Sequence, residues 1–459
     1  MRRDTYTQES RRTFLKTVSA GGAAGLVGLA GCVGGVDDDG GDGNGNGNGN
    51  GNGNGNGNGN GNGNGNGNRN GNGNGNGNGN GGVDFDTVQL GILEPFTGDF
   101  SALAEERNKG ETLGVQHVNE SDAYDFEFET SEYDTQLNPE DGTQAAQQAI
   151  DEDGAQFLTG AISSSVALAI NEVALENEVI YTPGAAAVSI TGDNCNEYVF
   201  RFETNTAQIA EVASQWMVEN LGDRIHYQIA DYAYGQSVRE EVDTRMARLS
   251  DSYEEVGTTR SDLNAQAFES VITQIEENAG EMDALVVGAT GGHLIRFLVQ
   301  ATERGLKEEV PIVTTTGSFA VVRGGAGPAA HDVYSGTRYV PSIETGDNQS
   351  FVEAYQAEYD ALPDNFSRVG YESVRMVANG IQAAGSRDPS VVKDQLPGMS
   401  HDTIFGEVAF RECDHQASNP VWMGRNVAPD EGEVADVEIL TRLDGEEAQP
   451  PCEDTGCNL

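Results

Sequence analysis

Lysine is nearly missing from this 459-residue chain. Lys16, Lys109, Lys307 and Lys393 are the whole set, and 26 basic residues face 74 acidic ones for a formal net charge of −48. A charge of that size and sign repels nucleic-acid phosphates and anionic lipid head groups, so nucleic-acid binding is excluded. Concentrated salt screens such self-repulsion, and the composition is that of a protein working in brine. Histidine is scarce too, and His117, His226, His293, His331, His401 and His415 stand without metal-ligand spacing. The chain has no Gly-x-Ser-x-Gly elbow, no Gly-x-x-x-x-Gly-Lys loop and no His-Glu-x-x-His. Carboxylates are so abundant that any acid pair would arise by chance, so the sequence gives no basis for an enzyme, a metal or a cofactor. No stretch reaches 18 consecutive apolar residues, which excludes a permanent membrane-spanning helix.

What is present begins with a segment of the opposite charge. The first 32 residues carry Arg2, Arg3, Arg11, Arg12 and Lys16 against Asp4 and Glu9. Ser10-Arg11-Arg12-Thr13-Phe14-Leu15-Lys16 precedes a mild Gly/Ala-rich apolar run, which reads as a twin-arginine export signal. It ends in Leu29-Ala30-Gly31-Cys32, similar to a lipobox whose Cys32 thiol would carry the lipid that anchors the chain to the outer face of the cytoplasmic membrane. The simpler reading is an ordinary secretory signal with an incidental cysteine. From Gly43 to Asn80 a Gly-Asn repeat, broken at Arg69, has no apolar side chains to offset its ordering entropy. Residues 33–85 are therefore expected to be a disordered tether with a reach of about 40 Å.

Past residue 86 the chain alternates short apolar runs with segments of helical period. Val88–Leu93, Gln156–Gly160, Glu178–Tyr181, Ile225–Ala230, Ala284–Gly288 and Pro311–Thr314 are expected strands, several too continuously apolar to face water on either side. Ile209, Val212, Ala213, Trp216 and Met217 share one helix face, as do Val238, Val242, Met246 and Leu249, and again Phe268, Val271, Ile272 and Ile275. Repeated strand and helix predict an α/β fold of doubly wound parallel sheets, whose ligands sit beyond the carboxyl ends of strands.

The loops at those ends carry a resemblance. Leu93-Glu94-Pro95-Phe96-Thr97-Gly98, Gly160-Ala161-Ile162-Ser163-Ser164-Ser165, Tyr181-Thr182-Pro183-Gly184-Ala185, Tyr198-Val199-Phe200-Arg201, Asp231-Tyr232-Ala233-Tyr234-Gly235 and Thr403-Ile404-Phe405-Gly406 follow one another in this order. Together with the N-terminal signal they resemble a haloarchaeal-like lipoprotein of the leucine/isoleucine/valine-binding family, the solute receptors of ABC transporters. The resemblance runs over about 86–427. It implies a type I periplasmic-binding-protein-like fold, two lobes joined by three crossovers and closing like a clamshell. The first lobe is expected at 86–204 plus 338–400, the second at 205–337 plus 401–445, and a tail at 446–459, with hinges near 204–206, 337 and 401. The implied function is capture of a small-molecule solute, a branched-chain amino acid or a related carboxylate or amide, and its delivery to an ABC permease. A ligand-sensing ectodomain shares the fold, and an extracellular hydrolase is the more distant alternative.

Ser163-Ser164-Ser165 opens an apolar helix from Val166, so hydroxyls and free backbone N–H groups meet at a positive helix end suited to a carboxylate. Its simpler use is N-capping. The resemblance implies that Ser163 donates to the ligand carboxylate, with Ser164, Gly184 and Ala186 beside it. On the second lobe it implies Asp231 and Tyr234 near the cleft. Thr290 and Thr316 stand where amino-acid-binding members place a tyrosine and an acid around the ligand ammonium, and Leu103 replaces an often aromatic residue. With both threonines in place, Asp231 is the nearest acid for an ammonium.

Once Cys32 is set aside, Cys195, Cys413, Cys452 and Cys457 allow three pairings in an oxidising location, Cys452 with Cys457 being the local one. Asn119, Asn348 and Asn365 head sequons for glycosylation. The acidic excess also predicts salt dependence: moving from molar to millimolar salt should unmask carboxylate repulsion and lower the melting temperature, and an unchanged value would contradict this.

Overall fold

The computed structural model describes residues 83, 85–429, 432 and 434–459. The export signal, Cys32 and nearly all of the expected tether lie outside them. Two sheets organise the described chain. The first holds β1 (Thr87–Glu94), β2 (Glu127–Asp134), β3 (Phe157–Gly160) and β4 (Ile180–Pro183) in the order β2-β1-β3-β4, all parallel. The second holds β5 (Arg224–Ala230), β6 (Glu254–Ser261), β7 (Ala284–Gly288), β8 (Ile312–Thr314) and β9 (Tyr334–Thr337) in parallel. A ribbon, β10 (Ser400–Thr403) with β11 (Gly406–Ala409), stands apart. Antiparallel β12 (Val421–Val427) and β13 (Asp436–Leu443) extend the second sheet beyond β9. In each sheet the second strand in sequence lies outside the first, so the winding reverses between β1 and β3 and between β5 and β7.

Burial explains which strands the sequence disclosed. β7 is buried at every residue and β5 at all but its first, so both read as apolar runs. β2, with the sequence Glu127-Phe128-Glu129-Thr130-Ser131-Glu132-Tyr133-Asp134, is an edge strand with one wholly buried residue, and its polarity hides it. The helices Thr206–Asn220, Ala233–Leu249 and Glu269–Glu277 lie where the 3.6-residue spacing put them. Asn205 starts the first of these with a capping box to Gln208.

Lobe 1 takes back more of the chain than expected. Residues 400–417 do not join the second lobe. Ile404, Phe405, Val408, Phe410 and Ala417 share a core with Phe200, Phe202 and Tyr339 of lobe 1, and Phe200 stacks on His415 at 4.1 Å. Burying those side chains against lobe 1 holds the ribbon there, so the third crossover falls near 416–420 and not at 401. The first and third crossovers are stitched together: Gln416 accepts from Arg201 Nε (2.6 Å) and donates to the Glu203 carbonyl (2.9 Å), and Asn419 donates to the Phe202 carbonyl.

The cysteines pair Cys195–Cys457 and Cys413–Cys452, not Cys452 with Cys457. Beyond β13 the chain turns back and lies on the loop that follows β4, where the Thr455 carbonyl faces Gly192 and Gly456 faces Asp193. That path brings each tail cysteine to a distant partner. The sequons do not sit on free surface: the Asn348 amide donates to the Pro341 and Ile343 carbonyls, Asn365 to Glu203, and Asn119 to the Phe128 carbonyl. Among the described residues no helix is long and apolar enough to cross a membrane.

Candidate functional site

The carboxyl ends of six strands meet between the lobes. From lobe 1 come Ile162 after β3, Gly184 and Ala186 after β4, and Phe366 at the start of the helix Asn365–Ala384. From lobe 2 come Tyr232 and Tyr234 after β5, Thr290 after β7 and Thr316 after β8. Arg338 follows β9 on the second crossover. They enclose about 10 Å³, space for a single water molecule, so the lobes are shut on the site.

Cross-lobe contacts hold that closure. Asp99 pairs with Arg296 at 2.5 Å and its carbonyl accepts from Gly292 N–H. Asp364 accepts from Ala320 N–H at 2.7 Å, Ser165 Oγ from Ala233 N–H at 3.4 Å, and the rings of Phe319 and Phe366 meet at 5.3 Å. Burial pushes the Asp364 carboxyl up to about 6, opposed by Arg323 and two backbone N–H groups.

Turn geometry sets the lobe 1 wall. Gly160 has φ +125°, and a Cβ there would sit 2.1 Å from the Leu93 carbonyl. Gly184 rests directly on Arg107, whose Nε would lie 2.5 Å from an added Cβ. Arg107 is wholly buried with Glu94 at 2.6 Å, contacts Glu111 and donates to Thr159 Oγ1 at 3.0 Å. Burial pushes Glu94 up to about 8, with Arg107 opposing and the like charge of Glu111 adding to the rise.

The three serines divide their work. Ser163 is the N-cap residue of the helix Ser164–Asn177 with β-region backbone, yet its hydroxyl makes no capping bond. That Oγ is buried and has no partner. Ser164 Oγ accepts from Ala187 N–H at 3.1 Å, securing the β4 loop, and Ser165 reaches across to lobe 2. Thr290 repeats the arrangement: it caps the helix Gly291–Glu303 by position, while its buried Oγ1 is unpartnered. Thr316 Oγ1 donates to the Ala289 carbonyl at 2.7 Å. Buried polar groups are seldom left unpaired, so the orphan hydroxyl of Thr290 in the cavity lining marks a place for a ligand atom, and that of Ser163 stands one residue past the lining Ile162.

Four expected site residues do not line the cavity: Ser163 and Ser164, which follow the lining residue Ile162, and Asp231 and Leu103, which stand elsewhere. Asp231 is exposed, paired with Arg260 at 3.2 Å and accepting from Gln236, and it does not line the cavity. Its side chain follows the arginine at the sheet edge, where both stay hydrated. Leu103 is buried against Phe100 and Gly291 at the lobe contact and does not line the cavity either.

Arg338 is the residue sequence reasoning missed. It donates to Glu203 Oε1 (3.1 Å), the Tyr234 hydroxyl (2.8 Å) and the Thr315 carbonyl (3.4 Å), while its Nε is buried without a partner. Its guanidinium lies 5.3 Å from the Phe319 ring centroid. Tyr234 in turn bonds Thr315 Oγ1 at 2.7 Å. A basic residue placed right after Tyr334–Thr337, in so acidic a chain, was the available signal.

A two-lobed α/β fold with a largely apolar cleft bearing a few polar groups at paired strand ends defines a solute-binding protein. The periplasmic binding protein family model matches residues 87–431, and the chain belongs to that family. It is 26% identical over 342 residues to Leu/Ile/Val-binding protein homolog 3 of Brucella melitensis, covering 71% of this chain and 87% of that one. The leucine-, isoleucine-, valine-, threonine- and alanine-binding protein of Pseudomonas aeruginosa is 23% identical over 334 residues, covering 71% and 86%. Among solved structures, a periplasmic binding protein from Burkholderia mallei has a TM-score of 0.74 at 21% identity, covering 81% of this chain and 98% of that one. A solute-binding protein from Rhodopseudomonas palustris in complex with 3,4-dihydroxybenzoic acid has a TM-score of 0.71 at 20% identity, covering 79% and 98%.

Proposed function

We propose that this protein is the exported, lipid-anchored receptor of an ABC transporter, capturing a small organic solute with a carboxylate and passing it to a membrane permease. The observation that carries the reading is the shut cleft at the paired strand ends, with the orphan Thr290 Oγ1 in its lining and a second orphan, Ser163 Oγ, one residue past the lining Ile162. The relatives named for leucine, isoleucine and valine, and the neighbour holding a hydroxylated benzoate, support a solute of that size and charge. The twin-arginine segment and Cys32 support export and anchoring, and the acid-rich composition supports a salt-rich milieu. No step of catalysis is needed for this role.

A thermal-shift screen of amino acids, amides and small carboxylates in molar salt tests the reading, because a ligand bound only by the native state raises the melting temperature. In the same assay Ser163→Ala should weaken a carboxylate ligand by about 1.5–3 kcal/mol, the loss of one charge-assisted hydrogen bond. Unchanged affinity by calorimetric titration would make the serine turn a helix end and nothing more.

A further inference from the structure

We propose, building on the solute-binding reading, that the cleft takes a small carboxylate bearing no amine, with Arg338 as the residue that sets this preference. The cavity wall contains one charged side chain, Arg338, and no carboxylate. The nearest acid in the network, Glu203, is committed on both oxygens, Oε1 to Arg338 at 3.1 Å and Oε2 to Asn365 at 2.9 Å. Asp231, the other candidate counter-ion, is held at the surface by Arg260.

Two further buried arginines stand near the crossovers, and acids away from the cavity wall answer them. Arg201 and Arg368 are fully buried beside the crossovers and form no ion pair among the described residues. Arg201 is held by Gln416 and by the Ala185 and Ala187 carbonyls, and Arg368 lies over the rings of Phe202 and Phe405. Each feels Arg338 as a like charge. Arg201 is countered by Asp414 and Glu203, and Arg368 by Glu203 and Glu372, so the cation left facing the cavity itself is Arg338. Burying an ammonium beside Arg338 with no carboxylate in the cavity wall is strongly unfavourable.

The unpartnered groups have the opposite preference. Arg338 Nε–H, Ser163 Oγ–H and Thr290 Oγ1–H are all buried donors without acceptors. A carboxylate supplies acceptors for the Arg338 and Thr290 donors in the lining, with Ser163 next to the lining Ile162, and answers the one charge on the cavity wall. Ile162, Tyr232 and Phe366 leave an apolar and aromatic lining for the rest of the ligand.

The test is calorimetric titration of the whole chain in molar salt with two matched pairs, 4-methylpentanoate against leucine and 3-phenylpropanoate against phenylalanine. Each pair differs by the amine alone. In whichever pair binds, the acid without the amine is expected to bind at least about tenfold more tightly. Equal or tighter binding of the amino acid overturns the proposal while leaving the solute-binding reading in place. So does binding of a sugar, polyol or amide in a thermal-shift screen when neither pair binds. If no compound in the screen or the pairs binds, both readings fail together. The double variant Arg338→Gln/Glu203→Gln removes the cation without stranding its partner, and should weaken the preferred acid at least about tenfold. Unchanged affinity would remove Arg338 from the site, and if the variant does not fold the matched pairs decide.

Discussion

Arg107→Ala is expected to destabilise the protein by about 3–5 kcal/mol, the cost of leaving buried carboxylates without their cation. Glu94 and Glu111 are both fully buried and share that one guanidinium, so its removal strands two acids at once. Chemical denaturation in molar salt measures the loss, and a midpoint within error of the wild type would refute it. The same cluster gives a pH signature. Glu94 is pushed up to about 8 in the fold from an unfolded value of 4.5, so its contribution is full at low pH and is lost as pH rises towards 8. His401 and His415 are pushed down to about 4 by burial, and their contributions are lost as pH falls below 6.5. Between pH 6.5 and 8 Glu94 therefore dominates, and stability should fall by roughly 1–2 kcal/mol. Glu94→Gln should flatten that slope; a slope unchanged in the variant assigns it elsewhere. Because Gly184 rests on Arg107, ligand affinity should weaken along with stability in the arginine variant.

Removing the Cys195–Cys457 bond in a Cys195→Ala/Cys457→Ala double variant is expected to cost about 3–5 kcal/mol. The bridge closes a loop with a sequence separation of 262, against 39 for Cys413–Cys452, so it constrains the unfolded chain more. It also holds the tail that returns from β13 in lobe 2 to the lobe 1 loop around Gly192. Denaturation of the oxidised double variant beside the wild type measures the cost, and coincident curves would show that tail packing suffices without the bond.

The parts of this fold that were legible in the sequence are those where one physical signal acts alone. β5 and β7 are buried on both faces and read as apolar runs, and the helices packed on them keep their period. β2 and β6 lie at sheet edges with mixed exposure, so the same reading passes over them. The ribbon at 400–409 was put in the wrong lobe because its placement depends on which core receives Phe405 and Phe410, a long-range matter that local pattern does not carry. The β4 loop, which lines the cavity, and the serine turn, which begins one residue past the lining Ile162, were visible as turn chemistry beside strand ends. Asp231 was misplaced because a strand-end acid turns into the cleft or out to an arginine with equal ease in sequence, and here Arg260 decides. Arg338 needed knowledge that β9 ends one residue before it, and β9 is only four residues long.

The acidic edge at β2 bears on how copies of the protein behave towards one another. Glu127, Glu129 and Glu132 are carried on a strand whose outer backbone groups are unpaired in the sheet, and two such edges approaching would align like charges at ladder spacing. In dilute salt that repulsion reaches well beyond contact, but at about 1 M the screening length shrinks to about 3 Å, below the roughly 4.8 Å between paired strands. Salt that is expected to steady the fold thus strips the edge of its long-range guard. Colloidal and conformational stability should run in opposite directions as salt rises, with hydration of the carboxylates left as the short-range barrier to strand addition.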